Sequence, residues 1–177
     1  MTDCATDPAL EVVDAAVAAL LEWFKPGALC PAKVGSTETV RVFAGDSAPM
    51  AAWDAHSDSP TGCKEPFIWV RLMRRYRSQT FPAPTINTNP CGLTRVVPVE
   101  LGVGWCAITD QEPTWAQWAA EAVISQDVSW RLEEAVCMAS RLLTKDHSER
   151  QTGTDTIAPY GPEGGVIAWT AVLYASY

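Results

Sequence analysis

Histidine is nearly missing from this sequence. Only His56 and His147 occur among 177 residues, each in a polar, turn-prone stretch. That scarcity works against His-based nucleophilic chemistry, which needs an imidazole held beside a nucleophile and oriented by an acid. His147, within Lys145-Asp146-His147-Ser148-Glu149-Arg150, reads as a solvated surface residue. Charge is sparse as well: 19% of residues are Asp, Glu, Lys or Arg, against 47% hydrophobic. Long apolar runs are lacking, and none approaches the roughly 18–20 residues that cross a bilayer. No membrane partner is therefore expected. The opening Met1-Thr2-Asp3-Cys4 puts an acid where a signal peptide carries Lys or Arg, so the expectation is synthesis and folding in the cytosol.

Spaced cysteine pairs are lacking too. The six cysteines, at 4, 30, 63, 91, 106 and 137, include no Cys-x-x-Cys and match no zinc-finger or redox spacing. Free, mostly buried thiols are the simple expectation for a cytosolic chain. A second reading gathers Cys63, Cys91 and Cys106, with His56, into a metal or late-forming disulfide cluster. Asp54, His56, Asp58 and Cys63 are ligand types, yet they mix hard carboxylates with a soft thiolate at no standard spacing. Gly161-Pro162-Glu163-Gly164-Gly165 lacks the Lys-Ser/Thr of a phosphate loop and leads into a strand. Glu133 and Glu134 are neighbours in a helical stretch and face different directions. No catalytic residue, metal ligand or cofactor site is assigned, and the chain reads as something other than an enzyme.

What is present is enough apolar material for a core within one domain, residues 1–177. The net charge of −8 disfavours a general nucleic-acid binder and favours protein partners. One basic concentration stands out, Arg71, Arg74, Arg75 and Arg77 within seven residues. It reads either as a wetted strand end or as a surface for a neighbouring subunit's carboxylates or for passing DNA. Alternation puts Arg71, Arg75 and Arg77 on one side if the strand continues, and Arg74 on the other.

Periodicity then places the elements. Asp7 and Pro8 open a helix whose stripe is Val13, Val17, Leu20 and Phe24, widened by Val12, Ala16 and Trp23; Lys25-Pro26-Gly27 ends it. Residues 28–66 read as loop-rich, with a short alternating segment at 39–43 and a turn-prone stretch at 53–60. Residues 67–76 read as a strand with Ile68, Val70 and Leu72 on one face and Phe67, Trp69, Arg71 and Met73 on the other. A strand over 93–106 turns Val97, Val99, Leu101, Val103 and Trp105 to one side. Its Pro98 implies an open side or a bulge. After a break at 110–114, Trp115 and Trp118 begin a helical region with a stripe of Val128, Leu132, Ala135, Val136, Ala139, Leu142 and Leu143, and Ser125 or Asp127 is a possible start of a second helix. Residues 145–159 read as loop, 160–165 as a turn and 166–174 as a final strand. The order gives α+β with a largely antiparallel sheet, an N-terminal helix and a second helical region before the last strand.

Three stretches taken together resemble proteins of long-tailed, siphovirus-like bacteriophages of actinobacteria, of the head–tail joining and tail-terminator group. They are Trp53-Asp54 with Cys63 and Pro66-Phe67-Ile68-Trp69-Val70-Arg71; Tyr76 through Phe81-Pro82, then Cys91 to Val99-Glu100-Leu101-Gly102-Val103 and Cys106; and Gly161-Pro162-Glu163-Gly164-Gly165 before Trp169-Thr170. The resemblance implies a virion protein, made in the host cytoplasm, that forms a homo-oligomeric ring of about six copies. Its implied partners are itself, the neck and tail-tube proteins, and genomic DNA passing through. A neck stopper or connector of the same joint is the near alternative. A small intracellular Cys- or metal-dependent enzyme, or a nucleic-acid-binding module, is the alternative from another class. The long loop at 44–66, Pro98 and the arginine cluster depart from the family layout.

Overall fold

A computed structural model describes residues 6–86, 89–145 and 147–177; Cys4 and Asp146 lie outside them. Helix α1 spans Ala9–Phe24. Pro8 directly precedes it, and the Asp7 carboxylate accepts the Ala9 N–H at 3.1 Å, giving an otherwise orphaned donor a partner. Pro26 ends it by holding Lys25 extended, at ψ 150°.

The sheet has seven strands: β1 (Val40–Phe43), β2 (Phe67–Leu72), β3 (Tyr76–Ser78), β4 (Thr94–Cys106), β5 (Thr152–Thr154), β6 (Ala158–Glu163) and β7 (Val166–Ser176). Their order is β1-β2-β4-β7-β5, with β3 also on β4 and β6 also on β7. Among the described residues only the β1–β2 pair is parallel. The fold is thus α+β on a mostly antiparallel mixed sheet, as the element order implies. The central pair, β4 with β7, runs from Val96–Ser176 to Cys106–Val166 without a register shift.

One sheet face is the main core. Ile68, Val70, Leu101, Val103 and Leu173 pack there against Leu20 and Phe24 of α1 and Leu132 and Leu143 of α3 (Trp115–Thr144). All but Phe24 and Leu143 are fully covered, and those two are nearly so. Burial of each such side chain is worth about 1.5–3 kcal/mol. The opposite face carries a smaller cluster of Phe67, Trp69, Val166 and Ala168 under Trp53.

Several local expectations change. Met50–Ser57 is a helix, α2, inside the stretch read as loop. Its apolar content is slight, and tertiary packing of Trp53 onto the second sheet face supplies what periodicity does not show. The strand expected to run on through 76 stops at Leu72 and resumes as β3. Pro98 explains the gap: its carbonyl accepts the Met73 N–H at 3.1 Å, so the side where it lacks a donor faces the break between β2 and β3.

The helical region is one continuous α3, not two helices. Thr114 opens it with a reciprocal capping box to Gln117. Asp127 does not start a helix; it accepts from the Lys33 N–H and from Arg131, both at 2.9 Å. Leu142, placed in the buried stripe, is 42% exposed. Residues 145–159 are not all loop, since β5 and the start of β6 lie there. The turn read at 160–165 shrinks to the tip Gly164-Gly165, both at positive φ.

The cysteine expectation is also corrected. Cys63 and Cys106 form a disulfide, and Cys30, Cys91 and Cys137 are free but exposed. The bridge joins the short turn after α2 to the end of β4, clamping the α2 segment onto the second face. It closes a separation of 43 residues, which in the chain-entropy picture stabilises by about 4 kcal/mol. We expect Cys63→Ser with Cys106→Ser to lower the denaturant-derived unfolding free energy by about 2–4 kcal/mol. Equal stability of the double variant and the bridged chain would contradict that role.

Candidate functional site

The four arginines singled out in the sequence do not meet at one place. Arg71 points to the second face, with its side chain 7% exposed. Its Nη2 donates to Glu100 Oε2 at 2.5 Å, its Nε to Glu100 Oε1 at 3.1 Å and its Nη1 to the Gly45 carbonyl at 3.0 Å. Its partner is therefore a carboxylate of its own chain, directly opposite in the β2–β4 register. Arg74 and Arg75 lie in the break between β2 and β3, and Arg77 lies past it on β3. Arg74 stacks over Tyr76, 5.2 Å from the ring centre. Arg75 forks onto Asp7, with Nη1–Oδ1 at 2.9 Å. That hydrogen bonding, with the Ala9 N–H, holds the Asp7 carboxyl down to about 2 and raises Arg75 further above its ordinary range.

Arg77 donates to the Leu93 carbonyl at 3.2 Å and stands directly across the ladder from Arg95. Like charges so placed repel. Arg95 was invisible to sequence reading, because only the β3–β4 register brings it there. Arg150, on Glu11 at 2.8 Å, lines a cleft together with Arg77, Arg95 and Glu149. The result is a basic end on an acidic chain.

Two further charged residues were given no role from the sequence. Glu100 alternates with valines on a strand and gave no signal of its own. Arg131 is 4% exposed, and besides Asp127 it holds the Trp23, Cys30 and Pro31 carbonyls at 3.0–3.2 Å. Its i, i+4 spacing from Asp127, beside Val128 and Leu132, was the available clue. Arg131 ties the end of α1 to α3.

The metal-type residues are engaged otherwise. Cys63 is in the disulfide, and the His56 ring, 7% exposed, has Nε2 at 3.0 Å from the Glu65 carbonyl. Among the described residues no three His, Cys, Asp or Glu side chains converge as a metal site. No described helix is long and apolar enough to cross a membrane.

Two surface features remain. The first is the leading half of α3. No residue from Trp115 to Asp127 is buried, although Trp115 is 89% exposed, Trp118 43% and Val123 45%, with Ala116, Ala119, Ala120 and Ala122 between them. The second is a hollow of about 270 Å³ on the second sheet face, between α2, Tyr160 and the Arg71–Glu100 pair. The strand positions beneath it are small. A Cβ on Gly102 would sit 2.1 Å from the Trp69 ring, so that indole lies flat over a glycine. Its Nε1 donates to Glu100 Oε1 at 2.9 Å, which fixes its orientation.

No protein-family model matches the chain, and a search of curated proteins finds no match either.

Gly102→Ala therefore has to move Trp69, a rearrangement of the overpacking kind that costs about 1–3 kcal/mol. Gly104→Ala meets Val166 Cγ2 at 3.2 Å and the Trp69 ring at 3.5 Å, and its loss is expected to be smaller. Thermal unfolding of both variants, with the Trp69 indole N–H followed by NMR, checks this; an undisturbed Trp69 signal in Gly102→Ala would contradict it.

Proposed function

We infer that the chain is a structural virion protein of a siphovirus-like phage, forming a homo-oligomeric ring of about six copies at the head–tail joint as the tail terminator. The observation that carries the reading is the bare leading half of α3. About two and a half helical turns, residues 115–123, rich in Trp, Ala and Val, stand clear of the chain's own core, which α3 first meets at Ile124 and Ser125. A contiguous apolar surface of this kind marks a contact with another protein, and tryptophans are the side chains most enriched at interface centres.

Three further features agree with it. The stretches quoted from the sequence resemble head–tail joining proteins. The α+β layout, with an N-terminal helix and a long helix ahead of the closing strands, fits what that resemblance implies. The disulfide suits a particle that leaves the reducing cytosol. In this reading the Arg74, Arg75, Arg77 and Arg95 end faces a neighbour's carboxylates or the DNA channel. The apolar second strand face, by contrast, is mostly occupied by α2 of the same chain and is not the ring contact.

Replacing Trp115 and Trp118 together by Gln should leave the stability of the isolated chain within about 0.5 kcal/mol, as for other exposed sites. Joined, infectious particles should nevertheless be lost when this variant replaces the wild-type gene. Normal particle yield would remove the α3 surface from the account. Deleting the gene separates the two joint roles: loss of a tail cap leaves tubes of uncontrolled length, whereas loss of a neck stopper leaves normal tails beside heads that leak DNA. Normal particles after deletion would overturn both.

A further inference from the structure

The hollow on the second sheet face is built from small residues. Gly102 and Gly104 on β4 make room for the Trp69 ring, which covers them, and the part of that ring left exposed lines the floor of the hollow beside Ala168 of β7. Trp53 and Met50 of α2 stand on one side and Tyr160 of β6 on the other. A preformed cavity of about 150 Å³ takes up benzene, so about 270 Å³ has room for one ring with a small substituent. It is below the roughly 300–1,000 Å³ of sites for drug-sized ligands.

The polar end decides the chemistry. A guanidinium carries five N–H donors, and Arg71 engages three, two on Glu100 and one on the Gly45 carbonyl. Among the described residues two of its N–H donors have no acceptor, on a side chain that is 93% covered and lines the hollow. Leaving them dry has a cost that a ligand acceptor relieves. Beside them, Glu100 Oε2 accepts, among the described residues, only from Arg71 and keeps a lone pair for a donor. The two charges compensate each other, so the wall offers an adjacent donor and acceptor without a net field. Asp46 at the rim adds negative charge, which works against anions.

The geometry points to a binding site for an uncharged planar ring bearing an amide-type edge, with its ring face on Trp69, its carbonyl on Arg71 and its N–H on Glu100. A carboxylate does not substitute for the amide edge, because it would set two anions, the ligand and Glu100, side by side in a covered site. This assignment concerns the face opposite α3 and does not depend on the ring-assembly reading.

Benzamide is the simplest probe of this class. In ¹⁵N-labelled full-length protein, saturable shifts of the Trp69 indole N–H and the Gly45 amide are expected on titration. Benzoate, benzylammonium and cyclohexanecarboxamide should each bind at least tenfold more weakly, testing charge and planarity separately. Two plugging variants, Thr170→Trp from a half-buried position on β7 and Ser47→Trp from the exposed lip, should weaken benzamide at least tenfold while keeping the wild-type amide spectrum elsewhere. Failure of benzamide to shift these signals would overturn the site, as would equal binding by both plugged variants. Benzoate binding as tightly as benzamide would overturn the ligand class.

Discussion

The unbroken β4–β7 ladder is the constraint on which the remaining structure rests. From Val96–Ser176 to Cys106–Val166 it fixes which side chains share a face, since a slip of one residue would exchange the faces wholesale. On one side the odd-numbered β4 residues, Val97 to Trp105, meet the two long helices. On the other side Glu100, Gly102 and Gly104 come into line with Ala168 and Thr170. The large residues of β4 thus make the core, and its small ones make room for Trp69 beside the hollow. Both follow from a single register.

Charge inside the fold is used for position. Arg71–Glu100 and Arg131–Asp127 are both nearly covered; Arg71 also holds the Gly45 carbonyl, and Arg131 holds the Trp23, Cys30 and Pro31 carbonyls. Such pairs add little net stability over a well-packed apolar equivalent, but removing one partner strands the other. Their contribution is geometric: one anchors the 44–47 loop beside the second face, and the other anchors the 27–33 loop between α1 and α3. The three remaining arginines of the original cluster stay at the surface, where Arg95 joins them through strand pairing.

How much of this was legible follows from range. Helix α1, β2, β4, β7 and the main face of the core are written in local alternation, so Val97, Leu101 and Leu132 could be placed from spacing alone. Pro98 announced the open side that the β2–β3 break occupies. Helix α2 was not legible, because Trp53 is buried by contacts with Phe67 rather than by a stripe of its own. The Cys63–Cys106 bridge was one of several open groupings, and only the sheet brings its ends to a Cα separation of 5.3 Å. The hollow was hidden for the same reason: Gly102, Ala168 and Trp69 come together through strand pairing.

The molecule then presents two unlike surfaces on opposite sides of one sheet, a bare aromatic helix half and a hollow with a compensated ion pair. In the proposed function the first is the surface that ties it to an assembly. Electron cryomicroscopy of the intact particle at the head–tail joint tests that claim most directly. The account predicts density for this chain in a closed ring there, with Trp115, Trp118 and Val123 covered by an adjacent subunit. A particle in which the chain is absent from the joint, or sits there with that half of α3 still bare to solvent, would contradict it.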